Sequence, residues 1–415
     1  MVSPRRRWKV SALPVARRRQ WHEEVFANDD IMELVSWYLD DEDQRDAKTL
    51  ARKILLPMRS AKFVNKLPRQ KNHLMQRLRF IEIRNIIAPL PWQPSVEFMA
   101  LTRSRMPCLY EPWVSLRELV IDQSNYNGII DPRDFPNLDK LILHMCDNIR
   151  EGIGGLEHLR KLEITDCSKF NVQINHLDKL DSLFLWSTPL FSTDIMRLPN
   201  LHSLVIVDND HFNGRLRDLP KLKLLVVHSA VFNQPLDEFL ELELLEIVSA
   251  RFDETIGPKN KLEKLDVTSV NFKQPLPSLP VCTEFVIVSK AFNQSIPEMP
   301  CIRLFRLSSP QFNRPIRLLE GLLNLTLKAP FFDSSLEFPD TVEYVELLIK
   351  GARYKRLAVS PRSLGQAFHA TKSGFTASCC AGCREGEAWR SLRLHVFEGS
   401  LKTKSNVFLC VPIEK

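Results

Sequence analysis

A phenylalanine recurs at a nearly fixed interval through the middle of this chain, and this interval constrains the fold more than any other feature. The interval is 21 residues from Phe170 to Phe212 and 20 residues from Phe212 to Phe332. Asn or Asp follows most of these phenylalanines. The full set is Phe170, Phe191, Phe212, Phe232, Phe252, Phe272, Phe292, Phe312 and Phe332. A register held over so many units indicates one structural repeat.

A second pattern, Leu-x-x-Leu-x-Ile/Leu/Val, lies ahead of each phenylalanine. Its last two apolar positions are two residues apart, which is the period of a β-strand. A unit this short cannot bury its own apolar face, so the units must stack, with one short parallel strand each. Weaker copies begin at Leu78 and Phe98. The clear copies begin at Leu116, Leu138, Leu159, Leu180, Leu201, Leu222, Leu242, Leu262, Cys282, Ile302, Leu322 and Val342.

Small polar residues follow each predicted strand at a regular position. We expect them to line an inner turn, where their side chains bond backbone groups of the neighbouring coil. The 21-residue units carry Cys146, Cys167, Thr188 and Asn209, and the later units carry Ser229, Ser249, Ser269, Ser289 and Ser309. Their regularity points to architecture rather than to chemistry.

Over roughly residues 116–350 the chain resembles leucine-rich-repeat proteins, and the Phe-Asn-Gln-Pro-Leu motif of residues 232–236 is similar to the FNIP repeat. The resemblance implies an α/β or mainly β solenoid, with a curved parallel sheet and a small N-terminal helical segment. We therefore divide the chain into a basic disordered arm (1–22), a helical segment (23–75), the repeat solenoid (76–350) and a C-terminal cap or tail (351–415).

The residues that flank the inward strand positions should face outward, and many of them are apolar. One interpretation is a hydrophobic concave face that binds a target protein or peptide. The alternatives are that β-branched residues simply favour strands, or that another segment covers the face. The predicted binding residues are Phe184, Trp186, Val205, Val207, Leu224, Val226, His228, Leu244, Val248, Val286 and Val288. Towards the ends the face becomes polar, with Glu163, Asp266, Arg306, Lys328 and Glu346.

Residues 23–57 are predicted to form two helices joined by an acidic turn at 40–43. The first helix carries an apolar face at helical spacing. This segment resembles an F-box, although the entry Leu-Pro is replaced by Phe26-Ala27. The resemblance implies that a Skp-type adaptor binds Ile31, Leu34, Val35, Tyr38 and Leu39. The alternative is a helical cap on the first coil of the solenoid.

The net charge of +7 resides entirely in residues 1–20, which hold seven basic residues and no acidic one. Such an arm could direct nuclear import or contact nucleic acid, or be a solvated tail, and we do not expect nucleic acid as a partner. The basic residues are Arg5, Arg6, Arg7, Lys9, Arg17, Arg18 and Arg19.

Several functional classes lack their sequence signatures. The chain has no phosphate-binding glycine loop, no His-Glu-x-x-His and no Gly-x-Ser-x-Gly, so we expect neither enzymatic activity nor a cofactor. The cysteines at 379, 380 and 383 supply too few ligands for a structural zinc site, and we predict no metal. With neither a secretory signal nor a run of about 18 apolar residues, we expect an intracellular protein, cytoplasmic or nuclear.

These observations favour a substrate-recognition adaptor of a cullin-RING ubiquitin ligase of the F-box type. The repeats would hold the target protein, and the N-terminal helices would bind the Skp-type adaptor. The first alternative is a stand-alone leucine-rich-repeat interaction scaffold with no role in ubiquitin transfer. A weaker alternative is an RNA- or chromatin-associated protein that binds through its basic arm.

Overall fold

The computed structural model of the protein describes a central region and several short segments outside it. The described residues are 60–64, 78–86, 95–104, 111–123, 130–149, 153–174, 176–317, 321–332, 334, 336–338, 344–348, 358–359, 369–371, 374–376, 389–396 and 405–412. The chain divides into two compact units, Met1–Tyr126 with Ile130–Cys146 and Asn127–Ile129 with Asp147–Lys415.

The first unit is a parallel stack of short strands. Each strand pairs with the next in chain order, from β1 to β5. The strands are β1 (Ser60–Val64), β2 (Phe80–Arg84), β3 (Phe98–Thr102), β4 (Glu118–Asp122) and β5 (Lys140–His144). Strand β1 precedes the first weak copy of the repeat. The Leu-x-x-Leu pattern did not indicate this strand, because Ala61 and Phe63 stand at the positions that Ile81 and Ile83 occupy in β2.

The second unit has the same architecture. Its main strands pair in parallel in the order β6, β7, β9, β11, β12, β13, β14, β15, β16, β18. These strands are β6 (Lys161–Thr165), β7 (Ser182–Trp186), β9 (Ser203–Val207), β11 (Leu224–His228), β12 (Leu244–Val248), β13 (Lys264–Thr268), β14 (Glu284–Val288), β15 (Leu304–Ser308), β16 (Asn324–Lys328) and β18 (Tyr344–Leu348).

The remaining strands are short pairs and a terminal hairpin. The pairs are β8 (Ile195–Met196) with β10 (Leu216–Arg217), β17 (Glu337–Phe338) with β19 (Ala358–Val359), and β20 (His369–Thr371) with β21 (Gly374–Thr376). The hairpin consists of β22 (Trp389–Val396) and β23 (Ser405–Pro412), which are antiparallel. Because β22 also pairs with β18, this hairpin extends the main sheet.

The fold is therefore a parallel β-solenoid with a repeat of about 20 residues. Among the described residues there is no helix, and so none long and apolar enough to cross a membrane. The helices predicted for 23–57 lie outside the described residues.

The inward and outward positions of the strands are as predicted. In most strands the second and fourth residues are buried and the others are partly exposed, as in β9 and β11. Leu183 and Leu185 of β7, for example, have no accessible surface. This alternation follows from the pleat, which turns successive side chains to opposite faces of the sheet.

The recurring phenylalanines form one continuous buried stack. Neighbouring rings from Phe170 to Phe332 have centroids 5.7–6.1 Å apart and planes 2–20° from parallel. All of these side chains are buried. Each ring fills the space between the rings above and below, so the stack forms part of the core opposite the sheet.

The Asn and Gln that follow the phenylalanine also act between coils. Asn213 Oδ1 accepts the backbone N–H of Asn233 at 2.8 Å, and Asn233 Oδ1 accepts that of Asp253 at 2.8 Å. Gln234 Nε2 donates to the Asn213 carbonyl at 3.1 Å. The Phe-Asn-Gln motif is therefore an apolar stack flanked by hydrogen bonds that join each coil to the one before it.

The inner-turn serines satisfy backbone groups, as predicted. Ser229 Oγ donates to the carbonyl of Phe212 at 2.8 Å, and Ser249 Oγ donates to that of Phe232 at 2.8 Å. Ser269, Ser289 and Ser309 repeat the bond at 2.7–2.8 Å. Each buried hydroxyl has an acceptor, so its burial leaves no unsatisfied donor in the core.

The change from 21-residue to 20-residue coils also has a structural cause. Asp166, Ser187 and Asp208 follow β6, β7 and β9 with positive φ values of 53°, 49° and 55°. After β11 the inner-turn Ser229 follows His228 directly. The longer coil therefore carries one additional residue in left-handed conformation between the strand and the inner turn.

We expect Phe252→Ala to lower the free energy of unfolding by about 3–5 kcal/mol, because it opens a cavity between the rings of Phe232 and Phe272. Denaturant titration of the purified chain measures this loss. Phe331→Ala is the matched control, since the Phe331 side chain is 70% exposed and its loss should change stability by less than about 0.5 kcal/mol. Equal small effects of both substitutions would contradict the role of the stack.

Candidate protein-binding face

The residues predicted to bind a partner lie on one side of the sheet and point away from the core. We call the outward residues of β7, β9, β11, β12, β13 and β14 the outer face. Trp186 is 44% exposed and Val248 is 38% exposed. The others are partly exposed: Phe184, Val205, Val207, Leu224, Val226, His228, Leu244, Val286 and Val288. No described segment covers Trp186 or Val248, which were both predicted to be accessible.

The apolar part of the outer face is centred on β7, β9 and β11. The rings of Phe184 and Trp186 lie 5.8 Å apart at 44°. Phe184 is in register with Val205, which is in register with Val226. Strands in a ladder are about 4.8 Å apart, so these side chains form an unbroken apolar row.

The same row becomes acidic on the next two strands. Val226 is in register with Glu246 of β12, and Glu246 is in register with Asp266 of β13. Glu246 accepts a hydrogen bond from His228 Nε2 at 2.9 Å and lies 3.5 Å from Lys264 Nζ. Of these two carboxylates only Asp266 was predicted to be a polar outward residue, although the 20-residue step of the repeat also identifies Glu246 as its neighbour.

Asp266 differs from Glu246 in its surroundings. Within the described residues the carboxylate of Asp266 takes part in no hydrogen bond and no ion pair. Burial raises the pKa of its carboxyl group, and the nearby charge of Glu246 raises this pKa further. Lys264, Arg306 and His228 have smaller opposing effects. The outer face therefore contains one partly buried carboxylate without a direct counter-charge.

The residues predicted to bind a Skp-type adaptor all belong to the N-terminal segment. Ile31, Leu34, Val35, Tyr38 and Leu39 lie outside the described residues, as do the cysteines at 379, 380 and 383. Across the part of the chain that the structure describes, no group of three or more His, Cys, Asp or Glu side chains is placed to hold a metal ion.

Lys259 is a titratable group that the sequence analysis missed. It is fully buried, at a repeat position that is apolar in the neighbouring coils. Those residues are Leu219, Phe239, Leu279 and Met299. Lys259 Nζ donates to the carbonyls of Leu236 at 2.9 Å and Pro258 at 3.2 Å. Burial lowers the pKa of Lys259 to about 8, while the charge of Asp237 acts in the opposite direction.

Comparison with known proteins identifies no relative. No protein family matches the sequence, no curated protein is similar to it, and no solved structure matches the fold. The function must therefore be argued from the residues of this chain.

Replacement of the buried amine should stabilise the protein in a pH-dependent way. We expect Lys259→Met to raise the free energy of unfolding at pH 7 by about 1–2 kcal/mol, because the folded state no longer buries a cation. The unfolded chain holds this proton up to about pH 10.5 and the folded state only to about pH 8. Wild-type stability therefore rises between these pH values.

The advantage of Lys259→Met should accordingly be largest below pH 8 and shrink towards pH 10.5, as measured by thermal melts at each pH. Lys261→Met is the control, because Lys261 is exposed and pairs with Glu241 at the surface. An advantage of Lys259→Met that stays constant across this range would contradict the assignment.

Proposed function

We propose that the solenoid is a protein-interaction module that binds a target protein on the outer face. The observation that carries the proposal is the solvent-accessible apolar row from Phe184 to Val226, with Trp186 at its edge. Isolated exposed apolar residues are ordinary on protein surfaces, whereas a contiguous patch with an aromatic anchor is typical of binding sites.

The rigidity of the sheet supports the same function. Each outer-face residue belongs to a strand that is hydrogen-bonded on both sides, and the buried phenylalanine stack holds the coils together. A preformed surface loses little conformational entropy when it binds a partner. The outer face is suited to recognition rather than to chemistry, and we propose a non-catalytic role.

The finer proposal is that the chain is a substrate-recognition adaptor of an F-box-type ubiquitin ligase. It is supported by the sequence resemblance of residues 23–57 to an F-box and by the repeat array that follows. The competing proposal is a stand-alone interaction scaffold, in which the N-terminal segment only caps the solenoid. Both proposals use the outer face in the same way.

Target binding should depend on the apolar row. A photo-crosslinking amino acid at Val205 would capture the partner, which mass spectrometry would identify and which would then be purified. We expect Trp186→Ala to weaken binding of this partner at least about tenfold, because aromatic anchors carry much of the energy of an interface. Val226→Glu should have a similar effect, since it places a charge in the apolar row.

The control for target binding is Thr326→Ala, an outward position of β16 beyond the outer face. It should leave the affinity unchanged, and Trp186→Ala should change the thermal melt little. Loss of stability with retained binding would show instead that Trp186 is a packing residue and would overturn the proposed face.

The ligase proposal predicts a specific loss at the N-terminus. Leu34→Asp should abolish binding of a purified Skp-type adaptor, because it puts a charge on the apolar face of the predicted helix. Ser36→Asp adds the same charge on the opposite face and should leave adaptor binding intact. Pull-down with the full-length chain makes the measurement. If wild type binds no adaptor, the scaffold proposal is the correct one.

A further inference from the structure

Two carboxylates of the outer face stand directly opposite each other on adjacent strands. Glu246 and Asp266 are in register across β12 and β13. Like charges at directly opposed positions of a sheet are destabilising. Glu246 contacts His228 and Lys264, whereas Asp266 forms no ion pair among the described residues and is bordered on its other side by Val286. Lys264, Arg306 and His228 act on Asp266 only at longer range, and their effects are smaller than those of burial and of Glu246. The protein thus carries an unfavourable charge where a neutral side chain would fit the sheet better.

This charge continues the apolar row of the outer face. The register runs from Phe184 through Val205, Val226 and Glu246 to Asp266. Four strand spacings of about 4.8 Å put the two ends of this row roughly 19 Å apart. An extended chain rises about 3.3 Å per residue, so about six residues would cover the distance.

We propose that the outer face binds an extended segment of another protein that carries one lysine or arginine about six residues from an aromatic or aliphatic anchor. The anchor packs against Phe184 and Trp186, and the cation pairs with Asp266. A basic side chain at this point neutralises the uncompensated carboxylate and relieves its repulsion with Glu246. This inference rests on the proposed binding function and adds the chemistry of the partner.

The number of uncompensated charges favours such a segment over the basic arm of this chain. The row from Phe184 to Asp266 has one carboxylate without an ion pair among the described residues, whereas the arm carries consecutive arginines at 5–7 and 17–19. A single basic residue within an apolar sequence matches the single charge. Charge complementarity of this kind sets the register of a bound segment and rejects partners that lack the cation.

The test is a selection of random linear 12-residue peptides displayed on phage, carried out on the full-length chain. Wild type should enrich peptides with Lys or Arg about six residues from an apolar anchor. Selection on Asp266→Lys should replace this basic residue by Asp or Glu at the same spacing. Selection on Trp186→Ala should lose the preference for the anchor.

A synthetic peptide from the wild-type selection then gives the affinities. Asp266→Asn should weaken its binding about tenfold. The same peptide with its basic residue changed to Met should bind wild type as weakly as the unchanged peptide binds Asp266→Asn. The affinity of this changed peptide should be the same for Asp266→Asn as for wild type. Thermal melts should show Asp266→Asn to be at least as stable as wild type, because it removes a repulsion. Glu298→Gln, at an exposed carboxylate outside the strands, should change the affinity by less than about twofold.

The outcomes separate the two levels of the proposal. If no peptide is enriched on wild type over Trp186→Ala, the outer face is not a binding site and the proposed function fails. If Trp186-dependent peptides show no basic preference and no reversal on Asp266→Lys, only the partner chemistry is overturned.

Two further outcomes would assign another occupant to the outer face. A synthetic peptide of residues 5–21 that binds more tightly than the selected peptides, with the same dependence on Trp186 and Asp266, would make the arm the ligand. Concentration-dependent dimerisation that is lost in Trp186→Ala would make a second copy the ligand. Either result overturns the partner proposal.

Discussion

The whole solenoid depends on the in-register stacking of each coil on the next. From β6 to β18 the main parallel strands give each strand residue a partner 20 or 21 positions away, and that partner occupies an equivalent place in its own coil. Residues of the same type therefore contact each other in neighbouring coils. A residue type stabilises the solenoid at a repeat position when two copies of it interact favourably. Phenylalanine rings stack, and asparagine can accept from one backbone and repeat the bond in the next coil. The Phe-Asn motif satisfies both requirements at adjacent positions.

In-register stacking makes a charged residue destabilising when it recurs at the same position of each coil, because like charges on neighbouring coils repel each other. Some of the described strands avoid the problem by pairing opposite charges, as Glu118 of β4 does with Lys140 of β5. Glu246 beside Asp266 and the buried Lys259 are departures from this practice. Lys259 is held by backbone carbonyls and is accounted for by local structure, whereas Asp266 faces the surface with no direct counter-charge among the described residues. Lys259 is therefore a structural irregularity, and Asp266 is a candidate recognition residue.

Much of the solenoid could be predicted because its information is periodic. The two-residue alternation within each strand identified the buried and outward positions, and the constant step placed Phe252 between Phe232 and Phe272. Prediction failed where the period weakens. Strand β1 has Ala61 at the position where later strands have Leu, so the pattern did not indicate a strand there. The adaptor-binding residues from 31 to 39 belong to no repeat and stay a prediction.

The sequence by itself determined the repeat length, the strand positions, the stack of rings and the residues that point outward, because each follows from periodicity and the pleat of a strand. Only the tertiary structure decided how accessible those outward residues are and which charges find partners. Accessibility depends on what packs above a side chain, as Trp186 and Val248 show. Pairing depends on side-chain reach: His228 and Lys264 both extend to Glu246, and neither forms a direct contact with Asp266. Accessibility and charge pairing both depend on which side chains are neighbours in space, and the spacing of residues along the chain does not specify this.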